Sequence, residues 1–149
     1  MKSVEKRPDI QSAADEIEEL FADLWQVFPF SRGARRGYRP QVDVLHSDDR
    51  AALTVLVELA GVDPDTVKLI ATPRALVIAG ERPRPTEYGH YEQLEIEYGP
   101  FQRKVVLSQD VDPERASATY ERGILRVSLP IAPRPQLRDS VPIQVRTRP

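Results

Sequence analysis

The sequence predicts an all-β domain, an immunoglobulin-like antiparallel β-sandwich. Short runs in which apolar and polar residues alternate with a period of two begin near Val42 and continue to Leu129. Gly, Pro and Asp clusters separate these runs at spacings of roughly 8–12 residues, which is typical of a sandwich. Helical periodicity is confined to the N-terminus. We therefore expect an N-terminal helical arm (1–40), the sandwich domain (41–130) and a flexible C-terminal extension (131–149).

The arm carries one predicted amphipathic helix, from Ser12 to Phe28. Ser12 can cap its N-terminus and Pro29 ends it. Its apolar stripe follows the i, i+3, i+4 spacing of a helix and consists of Ile17, Leu20, Phe21, Leu24 and Phe28. Permanent packing on the main domain and contact with a partner both stay open as interpretations. Residues 31–40 predict a basic, flexible linker.

Seven strands are predicted inside the domain. They are Val42–Val44, Leu53–Leu59, Val67–Ile70, Leu76–Ile78, Gln102–Leu107, Ala116–Tyr120 and Ile124–Leu129. The connection from 81 to 97 is too long for an ordinary hairpin loop. Its second half alternates again, with Leu94, Ile96 and Tyr98 on one side. A strand that leaves its own sheet needs another edge for its backbone groups, so we expect strand exchange with a second subunit.

The extension after Pro130 combines prolines with one apolar pair. Pro133, Pro135 and Pro142 predict an extended, mobile segment. Ile143 and Val145 lie two residues apart, so they point to the same side of an extended chain. Two alternatives stay open: the pair docks on another copy or a partner, or it folds back on its own domain.

Composition argues against enzymatic chemistry. The chain has no cysteine and only two histidines, His46 and His90, too few for a typical zinc site. Its acidic pairs lie at turns, where Asp caps the backbone, and no Gly-rich phosphate loop is present. We predict no catalytic residue, no metal and no cofactor.

The charge distribution separates the domain from its extension. Residues 41–130 contain 10 Lys and Arg against 15 Asp and Glu, a net charge of −5. Residues 131–149 contain 4 Arg against one Asp, a net charge of +3. An acidic domain disfavours nucleic acid as the main partner and favours weak attraction between the tail of one copy and the body of another.

Apolar runs are too short for a membrane span and the N-terminus is a poor secretory signal, so a cytoplasmic protein is expected. Whether a membrane surface is a partner stays open.

Five segments, taken together and in order, resemble the small heat-shock proteins, the family built on the α-crystallin domain. The closing A-x-x-x-(N/D)-G-(V/I)-L-x-(V/I)-x-(L/I)-P signature corresponds to residues 118–130. The other four segments are Glu58–Pro64, Ala75–Arg82, Tyr98–Arg103 and the tail motif Ile143-Gln144-Val145. Three positions depart from the family pattern: Arg122 replaces Asn or Asp, and Ala60 and Ser108 each replace Pro. Arg tolerates the positive φ expected at position 122 poorly.

The resemblance implies assembly surfaces. In the family, the tail motif docks into a groove on a neighbouring dimer, and we expect that groove between Leu76–Ile78 and Ile124–Leu129. The expected groove residues are Leu76, Ile78, Leu125 and Val127. Dimers are expected to form by exchange of the strand that carries Leu94, Ile96 and Tyr98. Arg103 matches a family arginine that makes interface ion pairs in some members, with an ordinary surface arginine as the alternative.

The function implied by the resemblance is that of an ATP-independent holdase chaperone, working as an exchangeable homo-oligomer on unfolding client proteins. The expected client-binding residues are Phe21, Leu24, Trp25, Val27, Phe28 and Phe30. The alternative is a related β-sandwich co-chaperone module that binds one folded partner and has no working tail.

Overall fold

Short strands make up nearly all the regular structure of the described chain. The computed structural model describes residues 37–86, 89–133 and 140–148. The predicted arm helix and all six expected client-binding residues lie outside these ranges. The strands are β1 (Val42–His46), β2 (Ala52–Glu58), β3 (Lys68–Thr72), β4 (Ala75–Arg82), β5 (Gly99–Val106), β6 (Ser117–Glu121), β7 (Ile124–Pro130), β8 (Val141–Ile143) and β9 (Val145–Thr147).

The strands form two sheets. Sheet A has the order β1-β2-β7-β6-β9, and sheet B has the order β5-β4-β3-β8. Every pairing is antiparallel except that of β6 with β9, which is parallel. The predicted antiparallel sandwich is confirmed, and each of the seven strands predicted in the domain is present. The tail contributes two further strands, which the sequence did not predict.

Alternate positions of the central strands place apolar side chains between the sheets. In sheet A, Leu53 lies opposite Leu129 and Val55 opposite Val127, and none of the four is more than 1% exposed. Leu69, Leu76 and Ile78 of sheet B join them in one core cluster. Burying a side chain of this size stabilises the fold by about 1.5–3 kcal/mol, so the paired central strands hold the sandwich together.

Turn aspartates behave as capping residues. Asp63 accepts a hydrogen bond from the backbone N–H of Asp65 at 3.0 Å, at the start of a 3-10 turn over Pro64–Thr66. Asp112 does the same for Glu114 at 3.1 Å. These contacts confirm the turn interpretation of the acidic pairs Asp63/Asp65 and Asp110/Asp112.

The linker prediction is wrong for residues 37–40. Tyr38 is only 6% exposed and belongs to the core cluster. Its ring meets Phe101 edge to face at a centroid distance of 5.6 Å. The basic residues around Tyr38 suggested a solvated segment, but one aromatic ring with a buried partner outweighs that composition.

Candidate assembly surfaces

The tail lies against both sheets of its own chain. Strand β8 pairs with β3, the outermost domain strand of sheet B, and β9 pairs with β6, the outermost domain strand of sheet A. The tail passes from one sheet to the other at Gln144. It therefore covers the side of the sandwich where the edges of β3 and β6 lie close together; we call this the closed side.

The two apolar tail residues enter the core from these edges. Ile143 lies opposite Leu69, is 8% exposed and belongs to the core cluster. Val145 lies opposite Ala118 and packs against the same cluster while half-buried. Gln144, between them, is exposed. The described part of the tail is thus extended, and its paired apolar residues fold back on their own domain, the second of the two alternatives.

The expected groove strands need correction. Leu76, Ile78, Leu125 and Val127 are each 0% exposed and lie in the core rather than along a groove. Their strands, β4 and β7, have a paired neighbour on both sides, so no backbone edge is free for a docking segment. The sites that receive the tail are on β3 and β6. Their shorter and more polar sequences were the signal for an edge, because sheet edges carry more charge than central strands.

The opposite side of the sandwich, which we call the open side, has the edges of β1 and β5. Among the described residues, β1 has only β2 as a neighbour and β5 only β4. Val44 and Leu45 of β1 are exposed, at 46% and 42%. Exposed apolar residues on an unpaired edge favour pairing with another strand.

The loop that joins β4 to β5 carries the residues predicted for strand exchange. Leu94 and Ile96 are 61% and 59% exposed, and Tyr98 is half-buried. Neither sheet of the chain includes any of residues 89–98, which we call the pairing segment. Leu94 and Ile96 thus point into solvent on a single chain.

Arg103 lies on the open side. Its guanidinium donates a hydrogen bond to the backbone carbonyl of Pro40 at 2.7 Å, which joins β5 to the segment before β1. Burial and the positive charge of Arg39 lower the pKa of Arg103 below its ordinary value. In this chain Arg103 therefore makes a structural contact, and its part in an interface ion pair stays a prediction.

A network around Tyr38 extends this side. The Tyr38 hydroxyl is within hydrogen-bond reach of the Glu58 carbonyl oxygen and 2.9 Å from Glu58 Oε2. Burial, followed by the hydrogen bond to Glu58, raises the pKa of Tyr38 to about 12. The Arg82 guanidinium lies 4.3 Å from the centre of the Tyr38 ring. Sequence reasoning missed Tyr38 and Arg82, although Arg82 ends one of the matching segments.

The β6–β7 hairpin turn has the positive φ angles that an arginine at position 122 tolerates poorly. Arg122 has φ 52° and Gly123 has φ 83°, as a type I′ turn requires. A Cβ on Gly123 would lie 3.2 Å from the Cα and Cβ of Ala60. Glycine therefore fits position 123 for two reasons, whereas Arg122 holds a left-handed conformation that Asn adopts more readily.

Comparison with known sequences identifies the domain. The sequence model of the Hsp20/alpha crystallin family matches residues 45–146. The chain belongs to this family. Small heat shock protein C2 of Rickettsia felis is 27% identical over 118 residues, which cover 78% of this chain and 75% of that protein. Alpha-crystallin of Mycobacterium tuberculosis is 32% identical over 114 residues, covering 75% and 78%.

Solved structures of small heat-shock proteins share the fold of this family member. Heat shock protein 16.0 from Schizosaccharomyces pombe has a TM-score of 0.58 at 26% identity, with 68% of this chain and 94% of that chain covered. The hspA structure from Xanthomonas axonopodis has a TM-score of 0.59 at 26% identity, with 66% and 98% covered. In the described ranges of this small heat-shock protein, no helix is long and apolar enough to cross a membrane.

Proposed function

We propose that this chain is an ATP-independent holdase chaperone that acts in the cytoplasm as an exchangeable homo-oligomer. Membership of the small heat-shock proteins supports the chaperone role. The observation that carries the proposal is the docking of Ile143 and Val145 on the β3 and β6 edges. A contact between a terminal segment and its own domain can equally be made with the domain of another copy, as in domain swapping.

Exchange of the tail between copies accounts for reversible assembly. Burial of each apolar tail residue is worth about 1.5–3 kcal/mol, reduced by the entropy of ordering the tail. One dock is therefore weak, and many docks in one assembly act together through high effective concentration. The extension carries a net charge of +3 and the domain −5, which favours the same docking between copies.

Pairing of two subunits is assigned to the open side. The exposed edge of β1, with Val44 and Leu45, offers backbone groups to a strand from a second copy. The pairing segment offers Leu94 and Ile96 in an alternating stretch that is not paired in its own chain. Exchange of this segment would bury apolar side chains and satisfy backbone groups together.

Client binding is assigned to apolar surface that assembly covers and dissociation exposes. The arm residues Phe21, Leu24, Trp25, Val27, Phe28 and Phe30 supply most of it in this proposal. The β3 and β6 edges supply the rest when the tail leaves them. Contacts of this kind do not depend on the client's sequence, because apolar burial is non-directional.

A heat-aggregation assay without ATP tests the proposal. Light scattering of a thermally unfolding model client should fall sharply when the protein is present at an equal subunit concentration. Serum albumin at the same mass concentration controls for nonspecific crowding. No reduction of scattering, even after the protein itself has been preheated, would contradict the chaperone assignment.

The mass of the assembly tests the tail. The double variant Ile143→Gly/Val145→Gly should reduce the oligomer to dimers in light scattering, because both docking residues lose their side chains. The matched control is Gln144→Ala, which changes the exposed residue between them and should leave the mass unchanged. An unchanged mass in the double variant would instead favour a co-chaperone module that binds one folded partner.

A further inference from the structure

Five side chains of alternating type form a ladder where the loop between β4 and β5 leaves the sandwich. Tyr38, Arg82, Tyr98, Arg84 and Tyr91 follow one another in space. The guanidinium of Arg82 lies 4.3 Å from the ring centre of Tyr38 and 5.6 Å from that of Tyr98. The guanidinium of Arg84 lies 4.8 Å from Tyr98 and 5.5 Å from Tyr91. Each distance is within the range of a cation–π contact.

Arg82 occupies the base of this ladder. It is the last residue of β4 and lies in register with Gly99, the first residue of β5. It therefore lies where the two ends of the loop meet. Its side chain is only 15% exposed, and its Nη1 lies 4.0 Å from Glu58 Oε2. Tyr38 and Arg82 are thus held against sheet A through Glu58. Tyr98 and Tyr91, further along the ladder, belong to the pairing segment.

Two chain segments cross at the same point. A Cβ on Gly37 would lie 2.4 Å from the carbonyl oxygen of Pro100 and cannot be accommodated without movement of the backbone. Gly99 has φ 117° and lies against Gly37. Residues 37–38, near the end of the arm, therefore touch residues 99–101, which follow the pairing segment. Arg82 contacts both sides of this crossing, through Tyr38 and Tyr98.

We propose that Arg82 is a positioning residue for subunit pairing, because its guanidinium between Tyr38 and Tyr98 fixes the direction in which the pairing segment leaves the sandwich. The proposal rests on the strand exchange described above. The ladder orders the base of the segment before a second copy is met, so less entropy is lost on pairing. It also ties the exit of the pairing segment to residues 37–38.

The test uses the full chain in the Ile143→Gly/Val145→Gly background, so that only pairing through the open side remains. Dilution of this background protein gives the dissociation constant of the dimer. Arg82→Gln should raise that constant about tenfold, since two cation–π contacts are lost. Hydrogen exchange of the amides in the pairing segment should accelerate in the same variant. Arg74→Gln, which removes an exposed arginine paired with Asp110 at 3.1 Å, is the matched control and should change neither measurement.

Arg82→Lys separates positioning from charge. Lysine keeps the charge beside Glu58, but its compact ammonium cannot stack as a plane between two rings. We expect Arg82→Lys to keep the melting temperature of the background protein and to have a dimer dissociation constant as high as that of Arg82→Gln. Arg84→Gln, at an exposed residue, should weaken the dimer about threefold without affecting folding, and it carries the test if Arg82→Gln does not fold.

The outcomes separate the two proposals. A background protein that is monomeric at every concentration overturns the strand exchange itself. A background protein that dimerises, with the same dissociation constant after Arg82→Gln, overturns only the role of Arg82. Full recovery of dimer affinity by Arg82→Lys also overturns it, because charge alone would then suffice.

Discussion

The two sides of the sandwich differ in whether the backbone groups of their edge strands are paired. On the closed side, the β3 and β6 edges are paired with the tail, and Ile143 is 8% exposed. On the open side, the described residues leave the β1 and β5 edges unpaired, and Leu94 and Ile96 are about 60% exposed. One side is complete within a chain and the other is not. In the proposed assembly, this difference separates a contact that copies can exchange from one that needs a second copy.

Edge strands explain why both sides matter. Unpaired backbone groups at a sheet edge attract any strand that reaches them, so proteins cover or charge their edges. The tail covers the closed side by pairing with β3 and β6. The open side has no such cover in the described residues, and its exposed apolar residues lie on β1, on the pairing segment and at Val106 of β5. In the proposed function, assembly takes two steps, with pairing through the open side and exchange of tails through the closed side.

The largest expected effect is on the open side. The double variant Leu94→Asp/Ile96→Asp should weaken the dimer at least about a hundredfold, since two carboxylates would have to be buried without partners. Analytical ultracentrifugation of the full chain over a dilution series measures the change. Folding should be unaffected because both residues are exposed in the single chain.

Glu95→Gln is the matched control for this double variant. Glu95 lies between the two residues and is also exposed, so its change should leave the dimer intact. If Leu94→Asp/Ile96→Asp forms dimers as tightly as the unaltered chain, pairing does not use the alternating face of this segment, and the comparison of the two sides fails.

A smaller effect is expected on the closed side. Ile143→Ala should weaken tail docking by about 2–3 kcal/mol, the lower part of the range for truncating a buried isoleucine. Backbone amides of β3 and β6 should then exchange faster in hydrogen-exchange mass spectrometry. Since the structure shows docking within one chain, protection of these amides in the unaltered protein should not depend on protein concentration at high dilution.

Gln144→Ala supplies the control on the closed side and should leave the protection of both strands unchanged. Protection that disappears on dilution of the unaltered protein would mean that the tail docks only between copies. In that case the closed side would depend on a second chain as much as the open side does, and the two would no longer differ in kind.

The central strands could be predicted from the sequence because their physical basis is local. Strand β7 alternates along its length, and Leu53, Val55 and Val127 are buried where a period of two places them, although Thr54 of β2 is buried as well. The apolar pair of the tail was predicted for the same reason. Docking strands were assigned wrongly because apolar content indicates burial in general, whereas a groove requires a free edge. Edges depend on the order of strands in a sheet, which alternation does not encode.

Contacts between segments that are distant in the sequence could not be predicted from local patterns either. Tyr38 was included in a basic linker, although its ring packs on Phe101 and its hydroxyl contacts Glu58. Arg82 lies 4.3 Å from that ring only because β4 ends beside the segment that precedes β1. A single aromatic residue among arginines gives little sequence signal for such a crossing, and its burial depends on the tertiary structure.

The smallest expected effect is on the free energy of unfolding of the sandwich that both sides share. Arg122 holds φ 52° in the turn between β6 and β7, a conformation that costs a residue with a Cβ about 1–2 kcal/mol and that Asn tolerates better. Arg122→Asn should therefore raise the free energy of unfolding by about 0.5–1 kcal/mol in urea titrations. The lost contact with Glu121, at 3.9 Å with the arginine side chain 90% exposed, should contribute almost nothing.

Arg126→Asn changes an exposed strand residue next to the same turn and should give no gain in stability. A loss of stability in Arg122→Asn would show that the arginine makes a contact that outweighs its backbone strain. A gain that leaves dimer affinity and tail protection unchanged would show that the two sides depend on their edges and not on the stability of the sandwich between them.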